Sequence, residues 1–67
     1  MMVLGGDDVK RRDIIKRLEE NGWYLKRPGG NHDIYYNDKA RRPVPVKRHR
    51  EIPEPEAHKI FKEAGLE

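Results

Sequence analysis

Cysteine is absent from this chain, and with it go any disulfide framework and any thiolate-held zinc. Long apolar runs are absent too, so no segment approaches membrane-spanning length. Residues 1–6, Met-Met-Val-Leu-Gly-Gly, are too short and uncharged to read as a signal peptide. The expected location is therefore the cytoplasm, with no membrane partner. Apolar residues are scarce, at 34% against 40% charged. A mean hydropathy of −1.11 would point to disorder if those residues were scattered, but they are periodic. Sixty-seven residues make one small domain, with 1–6 as a flexible lead-in. A chain of this size buries only roughly 60% of its unfolded surface. It has too little length to wall off a deep cavity, so any chemistry belongs on an open surface.

Other absences narrow the chemistry. His32, His49 and His58 fall on a strand, a connector and a helix, and no pair has metal-ligand spacing. The Gly29-Gly30 pair lacks the length and the following helix of a phosphate-cradling loop. There is no Ser or Cys nucleophile arrangement. Neither a metal nor a small-molecule cofactor is expected.

What the chain does have is positive charge, unevenly placed. The formal net charge is +3. Between residues 26 and 50, eight Lys or Arg stand against Asp33 and Asp38, a local net of +6, while the remainder nets −3. A basic middle with mildly acidic ends suggests a polyanionic partner, and nucleic acid is the expected one.

The periodicities predict five elements. Ile14, Ile15 and Leu18 at helical spacing place a first helix over residues 9–21, with Asp7 and Asp8 as N-cap and dipole partners and Gly22 as its left-handed stop. Residues 23–27 alternate, with Trp23 and Leu25 on one face. Gly29, Gly30 and Asn31 read as a tight turn that uses positive φ. A second strand covers 32–36, where Ile34 and Tyr36 share a face and His32 lies at its rim. The third strand, 42–46, turns Val44 and Val46 inward; Pro43 and Pro45 cannot donate to a ladder, so it belongs at a sheet edge and the His32 strand at the centre. Residues 47–52 read as a basic connector. Pro53 or Pro55 opens a last helix whose stripe is Ala57, Ile60, Phe61 and Ala64, closed by Gly65 with Leu66 folding back. The order is α-β-β-β-α. An α+β fold with two helices on one face of a three-stranded antiparallel sheet buries these stripes most simply.

One stretch concentrates the chemistry. His32 stands where the Gly-Gly-Asn turn enters a strand, with Lys26 and Arg27 before the turn and Lys47, Arg48 and Arg50 after the third strand. Cleaving RNA without a metal needs a base for the ribose 2′-OH, an acid for the leaving oxygen, and cations around the phosphate. A histidine can fill either proton-transfer role near neutral pH. By spacing alone, His32 reads more readily as a polar residue at a strand mouth, and a non-catalytic RNA-binding module would show the same cations. A domain that only recruits an acidic protein is a third reading.

The string from Leu18 to Leu25 (Leu-Glu-Glu-Asn-Gly-Trp-Tyr-Leu) and that from Gly30 to Tyr35 (Gly-Asn-His-Asp-Ile-Tyr) resemble the HicA family of type II toxin–antitoxin ribonucleases. So do Val44-Pro45-Val46, Arg50-Glu51-Ile52-Pro53 and the terminal Ala64-Gly65-Leu66, in the same order along residues 9–66. The resemblance implies a double-stranded-RNA-binding-domain-like fold and a metal-independent mRNA interferase held inactive by a HicB-type antitoxin. It implies that His32 is catalytic; Lys26, Arg27, Gly30, Lys47, Arg48 and Arg50 are the expected RNA contacts. Asp33 stands where family members often carry a second histidine, and Lys47 stands where many carry one after the Val-Pro-Val segment. His32 as base or acid, with Lys47 as electrostatic support, is then the expected pair.

Overall fold

The structure is a computed structural model that describes residues 8–67. The lead-in 1–6 and the capping role of Asp7 lie outside those residues. The elements are β1 (Asp8–Lys10), α1 (Arg11–Glu20), β2 (Tyr24–Pro28), β3 (His32–Tyr36), β4 (Val44–Lys47), β5 (Glu51–Pro53) and α2 (Glu54–Glu63). Strands β2, β3 and β4 form an antiparallel sheet in that order, with the His32 strand central and the proline-bearing strand at the edge. Among the described residues, no helix is long and apolar enough to cross a membrane.

The core joins both helices to one face of this sheet. Ile14 and Leu18 from α1 and Ala57, Ile60 and Phe61 from α2 close on Trp23, Tyr35, Val44, Val46 and Ile52. Both C-terminal stops form as expected. Gly22 has φ 90° and Gly65 φ 76°, and the N–H groups of Trp23 and Leu66 reach back to the carbonyls of Leu18 and Phe61 at 3.0 and 2.8 Å.

Six expectations are corrected. The first helix starts at Arg11 rather than residue 9, because Asp8–Lys10 is a strand. Asp8 pairs with Pro53 instead of capping, and the N-cap residue Lys10 makes no side-chain cap. The Arg11 N–H, an orphan donor at a helix start, is satisfied by the Arg50 carbonyl at 2.9 Å. The expected 47–52 connector contains β5, which forms a two-stranded antiparallel ribbon with β1 and buries Ile52 completely.

In β3, His32, Ile34 and Tyr36 do share a face, but it is the open one. Asp33 and Tyr35 point to the helices, since a period of two lets only one set face the core. The register of β2 shifts between Leu25 and Arg27, which makes Lys26 a bulge residue, and Leu25 is left half-exposed while Trp23 stays buried. Finally, neither Gly29 nor Gly30 has positive φ. Gly29 is needed for close approach, because a Cβ there would collide with the His32 carbonyl oxygen.

Candidate active site and basic cleft

His32 opens the central strand, and its partner across the β3–β4 ladder is Lys47. Residues directly opposite in an antiparallel pair hold their Cβ atoms about 4.5–5.5 Å apart, so imidazole and ammonium stem lie side by side. Both line a shallow depression of about 180 Å³, together with Pro45 and with Glu56, Lys59, Ile60 and Glu63 of α2. Lys47 forms an ion pair with Glu56. The lining therefore carries one imidazole, two ammonium groups and two carboxylates around an opening that admits part of a substrate.

Directly behind His32, Asp33 is buried and held from both sides. Arg11 donates through Nη2 to Oδ2 at 2.6 Å, and Arg48 donates through Nε to Oδ1 at 2.8 Å. Arg11 also donates from Nε to the Lys47 carbonyl at 2.6 Å, and the Arg48 N–H bonds the Asn31 carbonyl at 3.2 Å. This network joins the start of α1, the start of β3 and the end of β4, which are the elements that carry His32 and Lys47. The Arg48 hydrogen bond, with the charges of both guanidiniums, holds the Asp33 carboxyl below the usual carboxylate range against the opposing effect of burial.

The other expected residues are spread around this centre. Arg27 lies opposite Ile34 on the same open sheet face as His32. Lys26, at the bulge, sets its ammonium 5.8 Å from the centre of the Tyr36 ring, at the far end of β3. Gly30 is exposed in the β2–β3 loop, with open space where a Cβ would stand. Arg48 turns to Asp33, and Arg50 lines a separate basic cleft with Lys10, Arg11, Arg12 and Arg48. His49 is exposed between them. His58 sits on α2 and bonds Glu67 at 2.9 Å, which raises its pKa. Tyr24 donates to Asp38 at 3.0 Å, and that bond raises its pKa; burial does the same for Tyr35. Among the described residues no three His, Asp or Glu side chains gather as a metal site.

Gly-Asn-His thus enters the central strand, and Val-Pro-Val lies at the sheet edge. The family described as the HicA toxin of bacterial toxin-antitoxin matches residues 11–66. The chain belongs to the HicA toxin family. No curated protein matches it individually. Membership of this toxin family gives the chain the toxin role in a toxin–antitoxin pair.

Sequence reasoning missed Glu56 and Lys59 beside His32, and Lys10, Arg11 and Arg12 beside Arg48 and Arg50. No spacing signals that residue 56 lines the same depression as residue 32. The inward parity of Asp33, alternating with core Tyr35, is the one clue that an acidic side chain there would need buried cationic partners.

Proposed function

We propose that this chain is a metal-independent endoribonuclease, an mRNA interferase, with His32 as its proton-transfer residue. The observation that carries the reading is the pairing of His32 with Lys47 at an open depression on the sheet edge. In the reaction, neutral His32 takes the proton of a ribose 2′-OH. The freed oxygen bonds to the adjacent phosphorus, the bond to the 5′ oxygen breaks, and that oxygen gains a proton from water. Lys47 stabilises the charge gathering on the phosphoryl oxygens, the kind of group to which electrostatic catalysis is applied most effectively. Glu56 holds the Lys47 ammonium in place until a phosphate competes for it. Arg27, Lys26 and the Gly30 loop supply the approach surface for the RNA strand. A HicB-type antitoxin inhibits by covering the same face, and the toxin acts on mRNA in the cytoplasm.

The test is cleavage of a short single-stranded RNA by the purified protein, with a chelator present. His32→Ala lowers the rate by roughly 10²-fold or more while RNA affinity is nearly unchanged. Lys47→Ala lowers the rate but leaves the pH–rate profile with one limb. A bell that His49→Ala reduces to one limb overturns the single-histidine mechanism. RNA binding with no cleavage at any pH leaves a non-catalytic RNA-binding module, and activity lost only in chelator removes the metal-free step.

A further inference from the structure

The cleft lined by Lys10, Arg11, Arg12, Arg48 and Arg50 measures about 500 Å³, and no acidic side chain lines it. Two of its five cations are already engaged, since Arg11 and Arg48 grip Asp33. Lys10, Arg12 and Arg50 make no ion pair among the described residues. Three like charges do not attract one another into a cleft. They are held there by backbone: the β1–β5 ribbon sets Lys10 opposite Glu51, and the Arg11 N–H bonds the Arg50 carbonyl. Buried Ile52 anchors that ribbon in the core. The arrangement is completed by an anion, and the positive end of α1 adds to the same field.

Its position says which anion. Arg48 directly follows Lys47 off the end of β4, and Arg11 bonds the Lys47 carbonyl at 2.6 Å, so the cleft begins beside the residue that pairs with His32. A polyanion running over the sheet end past His32 meets the cleft next. We propose that the cleft seats backbone phosphates of the single-stranded RNA next to the scissile one, with Lys10, Arg12 and Arg50 as positioning residues. This rests on the ribonuclease reading above.

The experiment measures binding of a short labelled single-stranded RNA against salt, in His32→Ala protein so that the strand stays intact. Lys10→Gln, Arg12→Gln and Arg50→Gln are combined and compared with Lys16→Gln, Lys39→Gln and Lys62→Gln, three exposed lysines elsewhere. If the cleft neutralises about two phosphates, the slope of log affinity against log salt falls in magnitude by about 1.4, and affinity at about 0.1 M salt falls about 25-fold. With His32 present, the cleft variant raises KM by a similar factor and keeps kcat. Arg12→Gln alone, in the exposed first turn, lowers the slope by about 0.7 without touching the ribbon. A cleft variant that matches the control overturns the proposal, and so does unchanged RNA affinity with lost binding of an acidic protein. His32-dependent cleavage with an unchanged slope sinks the cleft alone. A changed slope without any cleavage by His32-containing protein keeps the cleft and sinks the ribonuclease reading.

Discussion

Gly29→Ala and Gly30→Ala, one residue apart, should behave oppositely. Neither glycine uses positive φ, so backbone strain does not separate them. Space does. A Cβ at residue 29 falls short of ordinary contact with the His32 carbonyl oxygen by about an ångström, and that neighbour is backbone rather than a movable side-chain tip. At residue 30 nothing lies within 4 Å. Forcing an extra carbon into a filled site costs about 1–3 kcal/mol. In a domain of this size each kcal/mol lowers Tm by roughly 4–8 °C. The displaced atom belongs to His32, and a misplacement of about 1 Å at a reacting group can cost 10²-fold in rate. Gly30→Ala instead restricts the unfolded chain and raises stability by about 0.4–1 kcal/mol. Thermal unfolding followed by circular dichroism, with single-turnover cleavage on the same samples, reads both effects. Any loss of RNA affinity in Gly30→Ala then reports contact at the loop, free of a stability change. Equal Tm values for the two variants, or a Gly29→Ala protein that folds and cleaves like the parent, would refute the reasoning.

Ile52→Ala empties a completely buried position that docks the β1–β5 ribbon, and should cost about 2–5 kcal/mol in urea unfolding; a loss under about 1 kcal/mol would mean that the ribbon is not part of the cooperative fold. Asp33 has a folded pKa below its unfolded value of about 3.9, so its stabilisation is present above that pH and disappears as pH falls through the lower folded value. Asp33→Asn should therefore flatten the acid limb of a stability–pH curve and weaken the neutral-pH fold by leaving Arg11 and Arg48 without their carboxylate; an unchanged acid limb would contradict this. His58 has the opposite sign: its pKa is raised by Glu67, so that contact stabilises at low pH and fades as pH rises through the folded value. Glu67→Gln should lower the His58 titration midpoint seen by NMR, and an unmoved midpoint would dissolve the pairing.

Elements whose signals are local were legible from the residues alone. The apolar stripes of α1 and α2 and the glycine stops at Gly22 and Gly65 depend on contacts within a turn or two. So does the edge position of β4, since a proline cannot donate to a ladder wherever it sits. His32 was legible as the entry to the central strand for the same reason.

What depended on distant partners was settled only by tertiary structure. Parity along β3 is a choice between two faces that both carry large side chains, and it was decided by Tyr35 packing in the core and by Arg11 and Arg48 compensating buried Asp33. Three-residue strands have too little pattern to reveal themselves, so β1 and β5 exist because Val9 meets Ile52 across more than forty residues of chain. That meeting starts α1 at Arg11 and brings Lys10 and Arg12 to Arg48 and Arg50. The sequence by itself determined that the chain would carry a strand-borne histidine among cations. Folding decided which cations stand beside it, because side chains become neighbours through packing and backbone pairing rather than through their order in the chain.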